Sequence, residues 1–231
     1  MTAPDSISAG WARMRVDEDG AGHILVVFRL PEASTDADMG TFLAALDTAR
    51  TTPQPALALG GPEVGDTGEV VVQLTAGRYV LGCVRRGADG HRHASTGEAK
   101  FLMVTAALTS GREIPPAATQ EVGMVDFAYV GPDRWPAGPH VLRVANVGRQ
   151  EHQLRLSRLH PRSSVQDWLE SEDPDDHATA VAGVARLGPG AVAYLPVELS
   201  AGTYLAYCLI PDPVSGSPHV EMGMLRVIHV E

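Results

Sequence analysis

Apolar and polar positions alternate in short runs along most of this chain, and Gly and Pro interrupt them repeatedly. Glu69 to Leu74, Tyr79 to Val84, Val125 to Val130, His140 to Val144 and Tyr204 to Ile210 read as short strands, with Gly131-Pro132-Asp133-Arg134 as a turn. Two segments leave the period of two for helical spacing. Met39, Phe42, Leu43 and Leu46 share a face after Asp36, and Val165, Trp168 and Leu169 share one after Ser164, with Asp167 three residues past that cap. Both faces read as core. Many short strands with one helix in each half predict an all-β protein built from β-sandwiches.

Self-comparison then sets the domain count. Gln73-Leu74-Thr75-Ala76-Gly77-Arg78-Tyr79-Val80-Leu81-Gly82-Cys83 lies over Glu198-Leu199-Ser200-Ala201-Gly202-Thr203-Tyr204-Leu205-Ala206-Tyr207-Cys208. Upstream, Gly22-His23 through Leu30 lies over Glu151-His152 through Leu159, and Ala9-Gly10 through Val16 lies over Ala137-Gly138 through Val144. Downstream, His93 with Gly97 lies over His219 with Gly223. The chain reads as a duplicated domain, residues 1–110 and 120–231, divided at the polar, Pro-containing stretch Thr109 to Thr119. Too few residues precede the first repeat to supply a counterpart of the strand Val125 to Val130. That repeat is expected to lack a strand or to borrow one, which makes a homodimer through the strand-deficient first domain an expectation.

Composition narrows the class. The 231 residues are 44% apolar, enough to bury a core, and carry a formal charge of −10, which repels phosphate backbones and anionic lipid headgroups. No nucleic acid and no membrane are expected as partners. The apolar runs Ile24 to Phe28 and Val181 to Val184 are far short of a membrane span, and Met1 to Ser6 has neither a basic start nor an apolar stretch. A cytoplasmic protein is therefore expected. Two cysteines make no disulfide framework, so each matters, if at all, as a thiol or thiolate.

The second repeat carries Asn146-Val147-Gly148, then His152, then Cys208, then His219-Val220-Glu221-Met222-Gly223-Met224. This arrangement resembles the cupredoxin family, Greek-key β-sandwiches in which an early His and a late Cys, His and Met hold type 1 copper. The resemblance implies two tandem cupredoxin-like Greek-key β-sandwiches, each with one short inserted helix. It implies His152, Cys208 and His219 as equatorial ligands and Met224 as the axial one. Met222 competes for that role, but spacing favours Met224 and leaves Met222 to pack nearby. A thiolate and two imidazoles with a distant thioether suit both copper oxidation states. Asn146 is expected to tie the loop of His152 to that of Cys208. In the first repeat His23, Cys83 and His93 match, and Glu98 takes the axial place, a harder ligand that favours Cu(II) or Zn(II). His91 is a competing ligand there.

Copper is accordingly expected at the second site ahead of the first. Ten residues separate Cys208 from His219, so Ile210 to Pro218 must fold back to return the histidine. His140, His160, His177 and His229 read as solvated. Neither cysteine has a histidine beside it, and His91-Arg92-His93 is the single His-x-His pair, which argues against a nitrite reductase or multicopper oxidase relay. The first expectation is a copper-binding redox protein that transfers electrons or carries copper, with an unidentified redox partner or small molecule. The alternatives are a copper-dependent oxidoreductase acting on a small molecule and a metal-free binding module of the same fold.

Overall fold

The structure is a computed structural model that describes residues 2–17, 22–63, 67–107 and 115–231. Of the expected divider, Thr109 to Ile114 lies outside the described residues. The first half runs β1 (Ser6–Ser8), β2 (Gly10–Asp17), β3 (Leu25–Arg29), α1 (Asp36–Thr48), β4 (Leu57–Ala58), β5 (Thr67–Leu74), β6 (Gly77–Cys83) and β7 (Ala99–Thr105). The second runs β8 (Gln120–Val125), β9 (Ala128–Val130), β10 (Arg134–Trp135), β11 (Gly138–Asn146), β12 (His152–Leu159), α2 (Val165–Glu170), β13 (Ala178–Leu187), β14 (Val192–Leu199), β15 (Gly202–Tyr207) and β16 (Leu225–Val230). The protein is all-β with little helix.

The repeat seen in the sequence is a repeat of strand order. One sheet runs β1-β7-β6-β3-β4 and another runs β10-β16-β15-β12-β13, so each strand of the first has its sequence counterpart at the same place in the second. The shared Leu-x-Ala-Gly-x-Tyr stretch has a local cause. The Tyr79 hydroxyl donates to Thr75 O at 2.8 Å and the Tyr204 hydroxyl to Ser200 O at 2.9 Å, each ring buried under the turn that enters its strand.

The third sheet belongs to both halves. Its order is β2-β5-β14-β11-β8-β9, and the halves meet where Val71 and Val72 of β5 stand opposite Tyr194 and Ala193 of β14. Trp11 packs edge-on against Tyr194 across this seam, ring centroids 5.2 Å apart. A second seam runs beside it: Gly60 N donates to Arg186 O, Glu63 N to Gly183 O and Ala185 N to Gly61 O, at 3.0, 3.2 and 2.8 Å. One apolar core spans both halves, from Val70, Val72 and Tyr79 to Leu142, Leu154 and Leu195.

Both helices close satellite clusters. Thr35, one residue before Asp36, caps α1 in a reciprocal box with Asp38, and Met39, Phe42 and Leu46 are buried against β3 and β6. Ser164 and Asp167 form the same box at α2, where Trp168 packs on Tyr207 with centroids 4.7 Å apart. Leu169, read as core, is exposed, because a helix this short buries little beyond Trp168.

One strand reading changes. Val125 to Val130 is not one strand but the end of β8, the turn residues Asp126 and Phe127, and β9. A two-residue turn preserves the alternation of faces, so periodicity hides it. Phe127 takes φ 65°, where Gly or Asn would have announced a hairpin. The resulting hairpin has no counterpart beside β2: β11 carries β8 on one flank, whereas β2 ends its sheet with β5 as its partner. Core residues feel the difference. Met14 and Leu25 are each 8% exposed, while their counterparts Leu142 and Leu154 are at 0%.

Backbone closeness at the seam makes a testable contrast. A Cβ on Gly61 would stand 2.1 Å from Leu25 O, whereas a Cβ on Gly40 in α1 would meet nothing within 4 Å. Gly61→Ala is expected to destabilise by about 2–3 kcal/mol or more through forced backbone movement, and Gly40→Ala to stabilise by about 0.5–1 kcal/mol through helix propensity, both read by urea denaturation.

Candidate metal centre

Two groups of ligating side chains stand at the same end of the two matched sheets. In the first, one donor atom each from His23, Cys83, His93 and Glu98 lies within 4.8 Å of every other; in the second, the same holds for His152, Cys208 and His219. The equivalence extends to the backbone. Cys83 N donates to Glu98 O and Glu98 N to His93 O, at 3.1 and 2.8 Å; Cys208 N donates to Met224 O and Met224 N to His219 O, at 3.3 and 2.9 Å. Glu98 and Met224 thus hold the same place on the chain, as the alignment of repeats requires.

The first cluster is built from the start of β3, the end of β6 and the 3-10 turn His93–Thr96. Cys83 Sγ stands 3.6 Å from His23 Nδ1 and 3.7 Å from His93 Nδ1, and Glu98 Oε2 stands 2.9 and 3.4 Å from the same two nitrogens. The loop carrying His93 is tied to the end of α1. Asp47 accepts from Arg92 N and Ser95 Oγ at 2.6 and 2.9 Å, and the buried Arg92 guanidinium donates to the carbonyls of Leu46, Val84 and Ala49. The Arg92 N–H, followed by His91, holds the Asp47 carboxyl well below the usual carboxylate range. His91 is not a rival ligand: its Nδ1 is 2.7 Å from Asp47, and its side chain is 59% exposed. Burial pushes the Cys83 thiol up, partly offset by the N–H groups of Ile24 and Arg85.

The second cluster is deeper. His152, Cys208, His219 and Met224 are all at 0% exposure. His152 Nδ1 and His219 Nδ1 are 3.1 Å apart, and Cys208 Sγ is 3.5 Å from His219 Nδ1. The outer nitrogens are already engaged, His152 Nε2 with Asp126 Oδ1 at 3.1 Å and His219 Nε2 with Gln150 Oε1 at 3.0 Å. Phe127 packs edge-on against His219, centroids 5.2 Å apart, so the tip of the β8–β9 hairpin lies over both imidazoles. Asp126 is held low: burial raises it, but the N–H groups of Gln150 and Arg149 and the His152 ring outweigh that. Burial dominates the donors themselves. It pushes Cys208 up to about 12 and His219 down to about 4, and it lowers His152 against the pull of Asp126.

The long loop returns as required, with Asp212 N bonded to Ser217 O and His219 N to Ile210 O, and Asp212 accepting from Val214 and Ser215. Asn146 does a different job from the one expected. Its Nδ2 donates to Gln150 O and Leu187 O, both at 2.7 Å, tying the His152 loop to β13 rather than to Cys208. The tie to Cys208 comes from Gln153 N, 3.4 Å from Sγ. Met222 is exposed rather than packed, and His140, read as solvated, is buried between Thr119 Oγ1 and Pro136 O.

These counts reverse the expected order of the two sites. The first cluster brings four His, Cys and carboxylate donors together and the second brings three, so the first is the stronger candidate for copper. The physical reason is that Glu98 reaches both imidazoles of its cluster, whereas Asp126, the carboxylate at the second, meets the outer nitrogen of His152 instead. The first cluster is also open. A cavity of about 790 Å³ is lined by His23, Cys83 and Glu98 together with Leu25, Val27 and Leu81, on the side where β2 lacks a hairpin. Asp126, Phe127 and Gln150 escaped the sequence reading, because a lone Asp-Phe pair carries no metal or turn signature.

No protein-family model matches the chain and no curated protein matches it. Similar solved structures include reduced auracyanin from the photosynthetic bacterium Roseiflexus castenholzii, at 19% identity and TM-score 0.34 over 48% of this chain and 94% of that one. They also include auracyanin A, a blue copper protein of Chloroflexus aurantiacus, at 17% and 0.33 over 48% and 96%. Rusticyanin from Thiobacillus ferrooxidans matches at 19% and 0.32 over 48% and 75%. The expectation of a cytoplasmic protein is withdrawn: it rested on the start of the given sequence, which does not fix a compartment. No helix among the described residues is long and apolar enough to cross a membrane.

The depressed His219 value gives a pH dependence with a definite sign. Unfolding returns the ring from about 4 to its ordinary 6.5, so the unfolded chain binds the extra proton between those values. The metal-free protein is expected to lose stability as pH falls through that window, by at most about 1.4 kcal/mol per pH unit for this group. Urea titrations at successive pH values check it, and His219→Gln flattens the slope.

Proposed function

We propose that this chain is a copper-binding redox protein composed of two tandem cupredoxin-like Greek-key β-sandwiches, about residues 1–110 and 120–231. His23, Cys83, His93 and Glu98 would hold copper in the first. His152, Cys208 and His219, with Met224 in the axial place, would hold it in the second. The observation that carries this reading is the pairing of one thiol with two imidazoles, inner nitrogen toward sulfur, at matching ends of both matched sheets. The donor chemistry fits: buried imidazoles that stay neutral keep a lone pair for a cation, and a cation offsets the cost of ionising a buried thiol. Copper, when bound, supplies a one-electron couple.

The chain's own residues would then divide the work. Asp126, Gln150 and Phe127 fix the second pair of imidazoles and exclude water, which suits electron exchange without ligand entry. Asp47 and Arg92 position the His93 loop, and the cavity beside His23, Cys83 and Glu98 gives a small molecule access. That cavity is the observation favouring the second reading, an oxidoreductase acting on a small molecule at the first site. We also read the open flank of β2 as a place where a second copy adds a strand; sedimentation showing monomer at every concentration would remove that homodimer.

Cu(II) titration of the metal-free chain tests the main reading. Saturable uptake with an intense thiolate-to-copper band is expected. Cys83→Ser should abolish the tighter equivalent, and Glu98→Gln should weaken it by roughly tenfold or more. No stoichiometric uptake, or uptake indifferent to both Cys83→Ser and Cys208→Ser, would overturn the assignment.

A further inference from the structure

Between the two clusters, at the junction of the halves, lies a cavity of about 490 Å³ whose walls carry five arginines among apolar side chains. Arg50, Arg86 and Arg92 come from the first half, Arg155 and Arg186 from the second, and Glu63 is the carboxylate among the lining residues. In a chain of formal charge −10, five arginines around one opening are a local reversal of sign. They are not all spent on structure. Each nitrogen of the Arg92 guanidinium donates to a carbonyl, Arg86 donates to Gly90 O and Asp47 O, and Arg186 is engaged by Glu151 at 2.7 Å.

Arg155 differs. Its Nε is buried with no hydrogen-bond partner, and its nearest carboxylate oxygen, on Glu63, stands at 3.7 Å, beyond hydrogen-bond range. Its guanidinium lies over the Tyr207 ring, 5.6 Å from the centroid, which holds it at the cavity wall. Arg50 is exposed and lies against Gly216 on the loop that returns His219. Two guanidinium forks from opposite halves therefore line one water-accessible space, with further fixed positive charge behind them. Forks of this kind bind carboxylate and phosphate oxygens in pairs.

We infer that this junction cavity binds a small multivalent oxyanion, a di- or tricarboxylate or a phosphate ester, between Arg50 and Arg155. The volume is in the range of small-molecule sites. The anion would supply acceptors to the Arg155 N–H groups and offset the repulsion among the five cations. Its place matters for the rest of the chain, because Ile24, Val84, Gln153 and Leu209, each the residue immediately after His23, Cys83, His152 and Cys208, line the same cavity.

Isothermal titration calorimetry on the metal-free full-length chain at low salt, with citrate and with pyrophosphate as probes, tests this independently of any copper. One saturable site for either probe is expected; citrate alone assigns a carboxylate ligand and pyrophosphate alone a phosphate ester. Arg155→Gln and Arg50→Gln should each weaken binding roughly tenfold or more. Arg134→Gln, which breaks a surface pair with Glu231 away from the cavity, should leave it unchanged. Arg50 is exposed, so its variant reports on binding even where Arg155→Gln disturbs Glu63 and fails to fold. Absence of saturable binding for both probes, or unchanged affinity in Arg50→Gln, would overturn the inference.

Discussion

Both clusters depend on one backbone device, a loop that leaves the end of a strand at its cysteine and is pinned on return by two main-chain hydrogen bonds. The cysteine N–H binds the carbonyl of Glu98 or Met224, and that residue's N–H binds the carbonyl of the histidine five positions before it. The device is indifferent to loop length. Nine residues separate Cys83 from His93 and ten separate Cys208 from His219, and the same pins hold in both. It is also indifferent to the side chain at the pinned position, since Glu98 and Met224 make the same backbone bonds. Side-chain chemistry was therefore free to diverge between the halves while the positions of sulfur and imidazole were kept.

What differs between the halves traces to one missing hairpin. In the second half β8 and β9 fill the flank of β11, Val122, Met124 and Tyr129 enter the core, and the turn residues Asp126 and Phe127 close over the histidines. A buried imidazole surrounded this way pays heavily to become charged, and His219 accordingly drops to about 4. In the first half nothing among the described residues takes that place. His23 and His93 keep partial exposure, Glu98 sits among them with its carboxylate two-fifths exposed, and a cavity of mixed polar and apolar lining adjoins the group. Phe127 shows that the closed arrangement has a cost, since a bulky residue at φ 65° is held in a sparsely populated conformation by its surroundings.

The sequence made the repeat, the strand-rich class and the membership of both clusters legible, because each depends on residue type at a fixed chain position. It did not show which cluster was the more complete. That depends on where a carboxylate points: Glu98 reaches the inner nitrogens of two histidines, whereas Asp126, from the β8–β9 turn, reaches the outer nitrogen of one. The β8–β9 turn was invisible because two turn residues leave the alternation in phase. Asn146 is legible as a tether but its partner is not: a side chain that close to the end of β11 reaches β13 more readily than the Cys208 loop. His140 looked like an ordinary loop histidine, and only the fold places Thr119 and Pro136 on either side of its ring.

The joint sheet also changes how the halves relate. Two beads on a string would let each cluster respond alone, but here β5 and β14 pair directly, and residues 60–63 pair with β13 along a second seam. Because β13 pairs with β12, which opens with His152, and Gly60 and Pro62 accept from Val27 and Leu25 of β3, which begins two residues after His23, the second seam lies directly against a strand next to a donor of each cluster. Interiors this closely packed shift as units rather than deform gradually. The arginine-lined cavity sits at this junction, bounded by the residues that follow four of the seven donors, so its walls belong to the strands that carry both clusters.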